Sequence, residues 1–115
     1  MIIKGRKNVE AVTMRNSHGG EGECLVRTLM TAEFSSSLAY IREIDLEPGA
    51  SIGMHKHEDD EEIYYIVAGH GTMLVDGEKQ PVSAGDVVLT KSGSSHGLIN
   101  DSRQKLKFFV ACAKI

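Results

Sequence analysis

A chain of 115 residues, 41% hydrophobic and 25% charged, is long enough for one buried core and too short for two. A net charge of −3 gives no basic field for nucleic acid, and no polybasic patch or bilayer-spanning apolar run is present. With no signal-like run at Met1 to Gly5, the expectation is a cytoplasmic protein with neither nucleic-acid nor membrane partners.

Taken in order, residues 1 to 15 allow one short strand around Asn8 to Val12, and His18 to Gly22 reads as a loop on glycine content. Cys24 to Met30 reads as a strand, and Thr31 to Ser37 as a connection with room for one helical turn. Leu38 to Leu46 alternates, with Leu38, Tyr40, Ile44 and Leu46 on one face and Arg42 among them. Pro48-Gly49 turns the chain into a strand carrying His55 and His57, followed by an acidic run, Glu58 to Glu62, and an apolar strand to Ala68. Asp76-Gly77 is a two-residue hairpin signal after Thr72 to Val75. Short strands at Gln80 to Val82, Val87 to Thr90, His96 to Ile99 and Leu106 to Cys112 complete the series. No long window keeps helical periodicity, so the fold class is all-β, a sandwich or barrel of antiparallel strands. Cys24 and Cys112 lack CxxC spacing and read as two buried thiols of a reducing compartment; a disulfide would require the terminal strands to meet.

The chemistry concentrates between Pro48 and Gly71. On an extended strand, His55 and His57 point to the same side, so two imidazoles address one point. Gly53, His55 and His57 share that register, whereas Ile52 and Met54 fall on the side expected to pack in the fold. Glu62 ends five consecutive acids and abuts the apolar strand. A carboxylate entering an apolar interior without a cation would carry a large desolvation cost. Glu61 is the fallback if the loop is one residue shorter. Glu58, Asp59 and Asp60 read as a solvated loop, and His18 and His70 as exposed residues beside glycines, with a lid role for His18 the lesser alternative.

Together with His96, these residues match two motifs. Gly49, His55, His57, Glu62 and Gly69 follow G-x5-H-x-H-x4-E-x6-G, and Gly85, Gly93, His96 and Asn100 follow G-x5-P-x-G-x2-H-x3-N, with Lys91 in place of proline. The chain resembles the small single-domain cupins of the conserved-barrel, oxalate-decarboxylase-like type over residues 38 to 112. The resemblance implies a jelly-roll barrel with its site inside the mouth, one cupin domain over 1–115, and an amino-terminal arm over 1–30. It also implies that His55, His57, Glu62 and His96 hold one divalent transition metal, Mn, Fe, Ni or Zn. Four protein ligands saturate tetrahedral zinc but leave two positions on an octahedral ion. Three neutral imidazoles and one carboxylate leave a net positive site suited to a small anionic ligand: a carboxylate, hydroxy acid or enolate. The oxalate decarboxylases carry an arginine three residues before the first motif histidine; here that position is Ile52, and no glutamate-bearing lid is evident. Their fold and metal site carry over; their reaction does not.

Two side chains complete the expected site. Arg42, if it faces inward, would grip a carboxylate; otherwise its stem lies along the barrel and its head reaches water. Tyr64 shares parity with Glu62 and is expected to line the cavity. The expectation is a small metalloenzyme of dioxygenase, decarboxylase or isomerase type with Arg42 and Tyr64 as its working side chains. The alternative is a binding or sensor module without turnover. Finally, Ile63, Tyr65 and Val67 make the outer face of their strand as apolar as the inner one, which predicts a homodimer built on that face with residues 1 to 30 contributing.

Overall fold

The computed structural model describes all 115 residues, arranged as two antiparallel sheets. The larger sheet runs in the order β1 (Ala11–Arg15), β2 (Glu23–Met30), β3 (Leu38–Leu46), β10 (Leu106–Lys114), β5 (Asp60–Ala68) and β8 (Val87–Thr90). The smaller has β4 (Ser51–Lys56), β9 (Ser95–Ile99), β6 (His70–Val75) and β7 (Glu78–Ser83). This is the expected jelly-roll. The first strand forms three residues later than Asn8, after a 3-10 turn over Arg6–Asn8, and no helical turn forms between Thr31 and Ser37.

Alternation along the strands builds the core. Leu98, Ile66, Leu106 and Phe108 are fully buried, and Leu46 nearly so. Each such side chain contributes about 1.5–3 kcal/mol by leaving water. Strand register sorts the inner face of the large sheet into rows. Phe108 lies between Ile44 and Ile66; next, Val110 lies between Arg42 and Tyr64; next, Cys112 lies between Tyr40 and Glu62. The rows thus pass from purely apolar to polar along one direction, and the polar end is where the chemistry collects.

Two local features aim that end. Gly69, a motif glycine, has φ of +89°, and a Cβ there would stand 2.6 Å from the Lys105 carbonyl oxygen, so no other residue fits between β5 and β6. In β4, Ile52 pairs with Leu98 but His55 pairs with His96, so β4 carries one extra residue. This bulge overturns the simple alternation expected for the strand. Ile52 and His55 both line the interior, whereas Met54, expected to pack inside with Ile52, is 45% exposed.

The outer face of the large sheet leaves Ile63, Tyr65 and Val67 of β5 exposed beside Val87 and Leu89 of β8. The first two strands extend the far edge of this sheet and do not cover that patch. Every residue of β1 is itself exposed. Both cysteines are free and buried. Cys24 pairs with Leu46 and Cys112 with Tyr40, six residues along β3 or about 20 Å, so no disulfide can join them. No helix is long and apolar enough to cross a membrane.

Candidate metal centre

His55 leaves β4 just past the bulge, His57 follows the end of that strand, Glu62 stands in β5 and His96 in β9. The fold brings one donor atom from each of the four within 4.8 Å of all the others. His57, Glu62 and His96 are buried and His55 is half-buried.

The outward nitrogens determine what the inward ones can do. His55 Nδ1 donates to the Gly53 carbonyl at 2.8 Å; a carbonyl can only accept, so Nε2 of His55 is a bare lone pair. His57 Nδ1 donates to the Asp60 carboxylate at 2.9 Å, which leaves its Nε2 bare as well. His96 Nδ1 meets the Thr90 hydroxyl at 2.9 Å, and this hydroxyl can accept in the same sense. The inward Nε2 atoms lie 2.9 Å apart for His57 and His96, and 3.0 Å apart for His96 and His55. Glu62 Oε1 is 3.1 Å from His96 Nε2 and 3.2 Å from His57 Nε2. Lone pairs crowded beside a carboxylate repel one another unless a cation stands among them.

The spacing fits such a cation. Donors about 2.1 Å from an ion are about 3.0 Å apart at octahedral right angles and about 3.4 Å apart at tetrahedral ones. The observed 2.9–3.2 Å separations match the first. His55, His57, Glu62 and His96 could therefore hold a divalent metal.

The surrounding polar groups keep the donors in form. The Tyr40 hydroxyl donates to Glu62 Oε2 across the intervening Cys112. Burial works to raise the Glu62 carboxyl, but the Tyr40 hydrogen bond and the polar surroundings made by His96 and His57 outweigh it, and the group lies below its ordinary value. Burial lowers His55 to about 4, which keeps it neutral and able to ligate. Burial first, then the Glu62 charge, raises Tyr64 well above its usual value; Tyr40 is raised by burial and by its bond to Glu62. Both phenols are therefore protonated at neutral pH.

The donors open on a cavity of about 150 Å³ whose walls include Tyr40, Arg42, Ile52 and Tyr64. Arg42 lies with its guanidinium carbon 3.9 Å over the Tyr40 ring and its Nε donating to Thr28 Oγ1 at 3.3 Å. Tyr64 packs its ring 4.9 Å from His96 and 4.7 Å from Phe108. His70 is exposed, as expected.

Several residues differ from their sequence reading. Asp60, read as solvated, is the partner of His57; its place three residues after a ligand, in an acidic run, was the available signal. Tyr40 and Thr90 lie beside Glu62 through strand register that local sequence does not display. His18, read as an exposed loop residue with a lid role as the lesser alternative, is exposed and in addition stacks on His55 with ring centroids 3.7 Å apart. No sequence signal points to it.

A jelly roll with three histidines and a glutamate gathered at the polar end of its core has the architecture of a metal cupin. Comparison agrees: the family model for the cupin domain matches residues 42–112, and the chain belongs to the cupin family. It is 40% identical over 109 residues to the oxalate-binding protein of Thermotoga maritima, covering 94% of this chain and 89% of that protein. The crystal structure of a predicted oxalate decarboxylase from Thermotoga maritima superposes with a TM-score of 0.93 at 33% identity, over 100% of both chains. A cupin 2 conserved barrel domain protein from Salinispora arenicola shares the fold, with a TM-score of 0.74 at 24% identity over 99% of this chain and 89% of that one.

Proposed function

We propose that this single-domain cupin holds one divalent transition metal at His55, His57, Glu62 and His96 and uses it to bind a small dicarboxylate of the oxalate type. The observation that carries the reading is the convergence of imidazole lone pairs beside a buried carboxylate at the wall of a cavity of about 150 Å³. A divalent ion there supplies an electrophilic centre for carboxylate oxygens, with one net positive charge left after Glu62 is counted. Arg42 stands at the wall to take the far carboxylate, and the cavity of about 150 Å³ has room for a small dicarboxylate. The name of the Thermotoga relative supports oxalate as the first ligand to try. Ile52, buried where decarboxylases place arginine, weighs against oxalate turnover.

The test is metal analysis and calorimetry on protein made without a histidine tag, loaded in turn with Mn, Fe, Ni and Zn. The expected result is one metal per chain and saturable oxalate binding. His55→Ala with His57→Ala should abolish both; stoichiometric metal in that double variant would refute the site.

A second reading, a small metalloenzyme, is favoured by Tyr64, whose phenol lines the cavity beside the donors and can hydrogen-bond to charge that develops on a bound ligand. Loss of carboxylate substrates in the loaded protein, followed by NMR with an oxygen electrode, decides it. Turnover that falls in Tyr64→Phe and Arg42→Ala at unchanged metal content would establish it.

We also propose a two-fold homodimer on the outer face of the large sheet. Cross-strand pairs Ile63–Leu89 and Tyr65–Val87 form an exposed apolar patch, and every residue of the arm's strand β1 is exposed within its own chain. Light scattering should give twice 12.5 kDa, and Tyr65→Lys should split the pair; a mass of 12.5 kDa for the wild type would refute it.

A further inference from the structure

A turn of the amino-terminal arm closes one side of the cavity, and it is fixed to β4. Asn16 N–H donates to the Gly22 carbonyl at 2.9 Å, Ser51 N–H donates to the Glu21 carbonyl at 2.8 Å, and Glu21 N–H returns a bond to Ser51 Oγ at 3.0 Å. The backbones between these bonds touch. A Cβ on Gly20 would stand 2.3 Å from the Ser51 carbonyl oxygen, and one on Gly53 only 2.1 Å from the His18 carbonyl oxygen. The turn is therefore packed backbone to backbone against β4 and forms part of the cavity wall.

His18 occupies this wall with a φ of +51°, a left-handed conformation uncommon outside glycine that histidine adopts more readily than most residues. The result is that its ring lies flat on His55, 12° from parallel. Stacking accounts for a ring at this position but not for a polar one, since phenylalanine would stack as well. Neither nitrogen of His18 takes part in a side-chain hydrogen bond within the protein. The ring lines the donor cavity, with Met14 and Ser17 on its own side and Tyr40 and Arg42 also in the wall. A ring laid on His55 carries its nitrogens one stacking distance above the plane in which His55 aims Nε2 at the other donors. An oxygen bound on that side of an ion there would face them.

We propose that His18 is a ligand-positioning residue, donating a hydrogen bond from this fixed turn to an oxygen of the small carboxylate held at the metal centre. The inference rests on the carboxylate-binding reading above and deepens it, because the arm then supplies part of the binding site. A hydrogen bond to a charged oxygen changes affinity by about tenfold or more.

The test compares wild type, His18→Ala and His18→Phe, each the full chain loaded with Co(II), a metal whose absorption reports its ligands. Metal content is measured first, then affinity for oxalate and, separately, for azide as a general probe of an open metal position. The expected result is one Co(II) per chain in all three and oxalate binding weakened at least tenfold in both variants. Wild-type oxalate affinity in His18→Phe would overturn the proposal, because the stack alone would then suffice. Loss of Co(II) from the variants would also overturn it, reducing His18 to a support for His55. If wild type binds azide but not oxalate, the carboxylate reading fails by itself, and the azide affinities decide the role of His18 by the same criterion. If wild type binds neither, both readings fall.

Discussion

Of the three histidines, His57 alone has a charged partner behind it, and removing that partner isolates what the charge contributes. In Asp60→Ala the 2.9 Å bond to His57 Nδ1 disappears, so the ring loses both its fixed tautomer and the carboxylate that makes Nε2 more basic. Loss of such an outer partner weakens metal binding about 10- to 100-fold, or about 1.4–2.7 kcal/mol. The Asp60 side chain is 30% exposed, which places the expected loss toward the lower end through solvent screening. Asp60→Asn keeps an accepting oxygen and loses only the charge, so it should fall between wild type and Asp60→Ala. The assay is competition for Co(II) or Zn(II) against a chromophoric chelator at fixed pH, with Glu58→Ala as control. Glu58 pairs only with Lys56 at 3.3 Å and touches no ligand. Wild-type affinity in Asp60→Ala would refute the reasoning. So would an equal loss in Glu58→Ala, since the effect would then belong to the acidic run as a whole.

Two further outcomes follow from the packing. Phe108→Ala should destabilise the metal-free protein by about 3–5 kcal/mol in urea unfolding, because a fully buried ring between Ile44 and Ile66 leaves a cavity its neighbours cannot fill. Cys24 and Cys112 should react with a thiol reagent only on unfolding. Both are buried, and burial lifts the Cys112 thiol to about 11, so fast labelling of the native protein would contradict this packing.

The sequence displayed what is local and periodic. Leu38 to Leu46 alternates because one face of β3 meets the core, and the four metal-site candidates stand at spacings that a strand and its turns set. What it did not display arises between strands. Tyr40 reaches Glu62 because β3 and β5 flank β10 in one register, and Thr90 meets His96 because β8 pairs with β5 at Glu62. Tyr40 and Glu62 stand 22 residues apart along the chain, and Thr90 and His96, only six apart, are separated by the turn between β8 and β9. The bulge in β4 defeated parity counting, since one extra residue after Ile52 exchanges inside for outside. The stack of His18 on His55 depends on a left-handed backbone at His18 and on the packing of its turn against β4, neither of which the composition displays.

The donors come from both sheets: His55 and His96 stand on strands of the smaller sheet, Glu62 on a strand of the larger. An ion held by them would span the seam between two layers that elsewhere meet mainly through apolar side chains, with few polar ties such as Asn100 Nδ2 to the Leu46 carbonyl. Such a clasp forms only after the layers have met, because His55 and His96 are 41 residues apart along the chain and bare coil offers no ready-made nest. Its binding energy then counts wholly toward the folded form. Scarcity of the metal would leave a molecule assembled but unlatched, looser at the mouth than at the base, where Leu46, Leu106 and Phe108 need no ion to stay together.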